Sequence, residues 1–261
     1  MSKAIVVFSS VLLCLPLVTP SSLRAQARPL PDFTGVYMPI DPFGQFRRPA
    51  APPTAATSEG GLPPPRPVLV LDGREGRPDN APKLTPEYLA KWEVIRQSRI
   101  AGSDEFDPNV RCISAGMPSM MSMTYGMEIQ HTKDKITIYG ELNDVYRRIW
   151  LDGRQPSQRV LDDPTFAGYS TGHWEGDTLV VKTVAIREDA LFDSFSPHSD
   201  QFTVTERIRF ISPGVLEDRI TSTDPKALLE PFTSVRTYTK ASAPNDELRE
   251  FSCAEGLGST K

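Results

Sequence analysis

Histidine, cysteine and long apolar runs are scarce in this chain, and each scarcity removes a class of function. Three histidines and three cysteines occur among 261 residues. They form neither a His-x-x-x-His pair nor a Cys-x-x-Cys pair, which argues against a conventional zinc hydrolase and a dithiol redox centre. The Gly-x-Ser-x-Gly elbow, the phosphate loop and the dinucleotide glycine fingerprint are all missing, so no cofactor and no metal is expected. Basic residues are outnumbered, 29 against 33 acidic, and such a surface is a poor partner for nucleic acid. No apolar stretch reaches the roughly 20 residues that cross a bilayer.

The longest apolar stretch is residues 4–18, interrupted by Ser9 and Ser10, after a single charge at Lys3 and before the small-residue site Ala25, Gln26, Ala27. This is the pattern of a secretory signal peptide. It predicts cleavage near Ala27, a periplasmic or secreted protein, and no membrane span in the mature chain. Bulky Leu13 before Cys14 argues against lipidation. Losing Lys3 and Arg24 leaves 27 basic against 33 acidic residues, a net charge of −6. Cleavage also removes Cys14, so Cys112 and Cys253 remain as the pair expected to form a disulfide. Such a bridge closes a loop of about 140 residues, for which the chain-entropy relation gives roughly 4–5 kcal/mol.

What remains is enough for one domain carrying an N-terminal arm. Thirteen of the 25 prolines lie between Pro29 and Pro82, a density that excludes regular helix or sheet. The expected organisation is a signal peptide at 1–27, a proline-rich arm with a first strand at 28–82, and a helix, a Met-rich loop and an antiparallel β-barrel at 83–261. Phe33 to Tyr37 reads as the first strand and Val68 to Leu71 as a second. Thr85, Pro86 and Glu87 combine a capping hydroxyl, a proline at the first helical position and an early acid. They predict a helix to Ile100, ended at Gly102. Its apolar positions Tyr88, Leu89, Trp92 and Ile95 suit a plug or lid.

After Met127 the chain alternates as strands do. Strands are expected over Ile136 to Leu142, Val145 to Leu151, Leu179 to Ile186, Thr203 to Ile211, Leu216 to Thr223, Phe232 to Thr239 and Leu248 to Cys253. Local antiparallel strands in this number are most economically closed into a barrel, which removes exposed edges.

Polar residues on apolar strand faces are the candidates for chemistry. Glu206 shares a face with Val204, Ile208 and Phe210; Arg147 with Val145, Ile149 and Leu151; Asp218 lies between Leu216 and Ile220; His131 follows Met127 and Ile129. Glu206 and Arg147 are either a structural ion pair or a functional one. A register slip of one residue exchanges Arg147 for Arg148, with Tyr146 and Trp150. His198 sits in a polar loop with Ser199 and Asp200 and is either a general base or a loop-stabilising residue. Five of the seven methionines, Met117, Met120, Met121, Met123 and Met127, lie within eleven residues. With Tyr125 they suggest a loop folded over a cavity; binding of Cu(I), with His131 as a further ligand, is the alternative.

The opening Asp32, Phe33, Thr34, Gly35, Val36, Tyr37 resembles the Gly-x-Trp strand of lipocalins and the wider calycin barrels, with Tyr37 in the tryptophan position. The stretch from Gly172 to Val181, with His198 to Asp200, Glu206 and Arg207, is similar to exported bacterial proteins of unassigned role. The first resemblance implies a mainly β, antiparallel, up-and-down barrel holding a small hydrophobic molecule; calycin-like barrels also include enzymes. The expected function is therefore a binding barrel whose partner is a small hydrophobic organic molecule, lined by Arg148, His131, Met120, Met123, Tyr125, Trp150 and Asp218. The alternative is a cofactor-independent lyase, isomerase or cyclase acting through Glu206, His198 and Arg147 in the same cavity. Oligomeric state is not legible.

Overall fold

The computed structural model describes residues 29–40, 76–103, 105–106, 111–122, 125–193, 195–244 and 247–251. The expected leader, most of the proline-rich arm with its strand at Val68 to Leu71, Met123 and Cys253 lie outside them. Nine strands close into one barrel in sequence order. They are β1 Gly35–Pro39, β2 Met127–Thr132, β3 Lys135–Gly140, β4 Val145–Trp150, β5 Tyr169–Glu175, β6 Thr178–Val184, β7 Thr203–Ser212, β8 Val215–Thr223 and β9 Phe232–Lys240. The barrel closes where Tyr37 of β1 meets Lys240 of β9. Closure is the architecture that the calycin resemblance implies.

The expectation of a strictly antiparallel, up-and-down barrel needs correction, because β5 runs parallel to β4 through Ile149 opposite Ser170. Parity requires it. Directions that alternate around a closed ring need an even number of strands, so nine strands must contain at least one parallel neighbour. The chain makes this pair by returning along the barrel through residues 151–168, which include the short helix α2, Gln158–Asp162, as parallel pairing demands a long crossover.

Each antiparallel turn follows its local chemistry. Asn143 and Asp144 both take positive φ, 59° and 48°, as a tight turn between twisted strands requires, and β3 and β4 pair from Gly140 opposite Val145. Tight turns at 133–134, 176–177 and 213–214 gather at one end of the barrel. The longer connections, 185–202 and 224–231, gather at the other, with the start of β2.

The tight-turn end is stoppered by aromatic rings. Phe33 is buried and packs against Trp174 at 5.4 Å and Phe210 at 5.2 Å, distances at which aromatic pairs add to simple burial. The opposite end is covered by α1, Pro86–Ile100, whose Tyr88, Trp92 and Ile95 are buried. Thr85 does not cap this helix with its hydroxyl. Its Oγ1 donates instead to the Lys226 carbonyl and its N–H to Ala227 O, docking the helix start onto the β8–β9 connection. Arg77 over Trp92 and Arg99 over Phe195 hold it from the other side, each a cation facing the negative face of a ring.

The last expected strand is also corrected. Leu248 to Phe251 carries no strand, and β1 takes the place beside β9. This tail lies across the rim instead, with Arg249 N–H donating to Glu141 Oε1 and Phe251 6.1 Å from Tyr125.

Candidate functional site

Strand periodicity sends alternate residues to opposite faces, and the inward residues of β4 to β9 meet in a polar group set in apolar surroundings. From β4, Arg147 reaches across to Glu206 on β7. Arg147 Nη1 donates to Glu206 Oε1 at 2.7 Å and Nη2 to Oε2. Nε donates to Ser170 Oγ at 3.2 Å and Nη2 to Thr183 Oγ1 at 3.0 Å, while Ser170 and Thr183 share a hydrogen bond of 2.9 Å. All four residues are buried. A bidentate pair with its remaining donors occupied is the arrangement in which burying two charges is tolerable.

Asp218 is different. It sits on the inner face of β8, wholly buried, opposite Ile208 of β7 and Arg236 of β9. Neither carboxyl oxygen accepts from an N–H or hydroxyl among the described residues; its hydrogen-bond neighbour is the Glu206 carboxyl. Burial, the neighbouring Glu206 charge and a hydrogen bond to Glu206 hold this carboxyl well above the usual range, against the pull of Arg147 and Arg236. Arg236 directs its donors elsewhere: Nε and Nη2 to Ser122 Oγ at 3.0 and 2.8 Å, and Nη1 to Val235 O. Tyr238, the next inward residue of β9, donates to the Met121 carbonyl. The methionine segment and the barrel interior are therefore joined through Ser122 and Met121.

A narrow cavity opens at this junction, lined by Met120, Met121, Tyr125, Met127, Val145 and Tyr238 among others. Its volume is about 20 Å³, and Met120 and Tyr125 are among the residues that line it. Met117, Met120, Met121 and Met127 are buried in the apolar core. His131 lies four residues further along β2 than Met127, about 13 Å at strand rise. There it packs against Phe33 and Trp174, where burial lowers its pKa, so it does not join the methionines. Among the described residues, no group of three or more His, Cys, Asp or Glu side chains is placed to hold a metal.

Arg148 and Trp150 lie on the outer wall, a correction to their expected place in the lining. Arg148 is exposed, and Trp150 carries Arg154 over its ring at 3.8 Å. The register is thus the one that turns Arg147 inward. His198 is buried in the β6–β7 connection, stacked on Phe202 at 4.1 Å and donating through Nδ1–H to the Ser199 carbonyl, 3.0 Å away. Burial lowers its pKa. The acid that holds this loop is Asp224 of the β8–β9 connection, which accepts from Ser199 N–H and Oγ and from the amides of Lys226 and Ala227. None of the contacts of His198 reaches the Arg147 group. Cys112 is a bonded cysteine; with Cys253 outside the described residues, their pairing stays a proposal.

Sequence reasoning missed Ser170, Thr183, Arg236 and Tyr238. On β9 the two faces, Ser234, Arg236, Tyr238 and Thr233, Val235, Thr237, differ little in polarity, so alternation carries no signal. A second cleft, of about 240 Å³, opens between Ile95 of α1, Phe106, Ile113, Phe166, Ala190 and Pro197. It contains none of the candidate site residues named from the sequence.

No known protein family and no curated protein matches this sequence. Among solved structures, the wild-type fluorescent protein UnaG is similar over 52% of this chain and 88% of its own, at 19% identity and a TM-score of 0.28. An asparagine-to-alanine mutant of UnaG gives the same values. Likeness at this level carries no functional argument.

Proposed function

We propose that this is an exported barrel that binds one small, mainly apolar organic molecule, with the molecule's body at the Met-lined mouth and its polar end reaching the interior. The observation that carries this reading is the buried polar group of Arg147, Glu206 and Asp218 inside a closed barrel. Set in apolar walls, these few convergent polar groups have the composition of a ligand site. Export is supported by the leader pattern at residues 4–27.

The enzymatic alternative meets an obstacle at Glu206. Both of its oxygens are engaged by Arg147, so proton transfer there would first require breaking a bidentate pair. Native mass spectrometry of the protein purified gently from its own compartment tests the binding reading. A stoichiometric small molecule released on denaturation is expected; protein uniformly free of any adduct, and inert to a panel of apolar compounds, would refute it.

A further inference from the structure

Arg236 has a carboxyl beside it and bonds to a hydroxyl instead. It stands directly opposite Asp218 in the β8–β9 register, and both side chains are buried. Side chains so opposed lie about 5 Å apart at Cβ. Yet Arg236 Nε and Nη2 donate to Ser122 Oγ at 3.0 and 2.8 Å, and Nη1 donates to Val235 O. A guanidinium offered both a carboxylate and a hydroxyl takes the carboxylate, whose paired oxygens match its fork. The choice of Ser122 is explained if Asp218 presents no charge.

The charges around Asp218 agree. The groups that face it are Glu206 from β7, Arg147 from β4, and Arg236 and Tyr238 from β9. Arg147 is matched by Glu206, which it engages through both oxygens. Arg236 has Asp193 of the β6–β7 connection 3.9 Å away. The interior is therefore neutral when Asp218 is protonated and donates its O–H to the Glu206 carboxylate. Without that proton it carries one unmatched negative charge, which is costly there. We propose that Arg236 is a latch with two positions: it holds Ser122 while Asp218 keeps its proton, and turns to Asp218 when that proton passes to solvent. The second position frees the helical turn Ser119–Ser122 at its Ser122 end.

The latch bears on what the mouth admits. The cavity there is about 20 Å³, room for a water molecule and little more, so anything larger requires Met120 and Met121 to move. Two attachments hold their turn to β9, Ser122 to Arg236 and the Met121 carbonyl to the Tyr238 hydroxyl. The second outlasts ionisation of Asp218, because burial and the neighbouring acids keep the Tyr238 hydroxyl protonated well above the usual phenol range. The turn is thus loosened at one end and not released. Asp193 still faces Arg77 when Arg236 turns away. The latch is shut at low pH and opens as pH rises, whatever the barrel binds.

The experiment follows the methionine methyl signals of the full chain by NMR, and its protonated-carboxyl band by infrared spectroscopy. Both are recorded from about pH 5 to about pH 10, which spans the values reached by buried carboxyls. The Met120 and Met121 signals are expected to move in one step, with the midpoint at which the carboxyl band is lost. In Asp218→Asn, checked by thermal melting to be folded, step and band both disappear and the signals keep their low-pH positions. Ser122→Ala, which removes the acceptor and leaves the acid, puts them close to their high-pH positions at every pH. A natural protein without the band at the acid end of the range has Asp218 already ionised, which overturns the latch. So does a band that persists throughout, a pair of signals that hold still while the band is lost, or an equal step in Asp218→Asn.

Discussion

Arg147 and Asp218 show that two buried charged residues, four strands apart in the barrel order, can have opposite consequences for stability. Arg147 has its acid and two hydroxyls; Asp218 faces a second acid, Glu206. Replacing Asp218 by Asn removes an ionisation that the fold opposes. The native pKa of Asp218 lies above its ordinary value of 3.8, so between these two values the folded protein binds more protons than the unfolded chain. Its stability therefore falls as pH rises through that window. Asp218→Asn is expected to be more stable than the natural protein at neutral pH, by roughly 1–3 kcal/mol, with the difference shrinking toward pH 4. Urea unfolding across that range measures it; a variant less stable at every pH would show that the carboxylate has a partner in solution.

At the scale of elements, the parallel pair is the feature most sensitive to local backbone. Gly168 ends the return segment just before β5 and holds φ +65°, a region that side chains other than glycine enter at a cost. A Cβ there would lie 2.8 Å from Val184 O, Thr183 Cγ2 and Ile186 Cγ1. Both the backbone and the neighbouring strand β6 resist it. Gly168→Ala is expected to destabilise by roughly 1–3 kcal/mol, read from thermal or urea unfolding. Because Thr183 is one of the hydroxyls on Arg147, the displacement should also reach the interior. The helix lid is docked differently, since Thr85, Arg77 and Arg99 tie it to the two long connections.

For the whole molecule, closure and cross-linking act on different states. Closure of β1 on β9 removes the free sheet edges of the folded barrel. A bridge from Cys112 to Cys253 would act mainly on the unfolded chain, by shortening it. The expected outcome is that intact protein shows no labelled thiol at either position, and that reduction under unfolding conditions exposes both. Stability lost on reduction should be at most about 4–5 kcal/mol by the loop-entropy relation. Two freely labelled thiols in native protein would remove the bridge.

Strand alternation is a local property of the chain with a period of two, so the sequence by itself determined that Arg147, Glu206 and Asp218 share their apolar neighbours' faces, and the structure turns all three inward. The same locality made the turn at Asn143 and Asp144 and the helix from Pro86 legible. Partnership is not local. That Glu206 meets Arg147 across 59 residues, that the Thr85 hydroxyl serves Lys226 rather than its own helix, and that Phe251 lies against Tyr125 at the rim are decided by how strands are laid beside one another. The parallel step from β4 to β5 belongs to the same level. It arises from the odd number of strands in a closed ring, a count that no single segment contains. Only the assembled barrel sets Asp218, from β8, beside the Glu206 carboxyl of β7 and the guanidinium groups of β4 and β9.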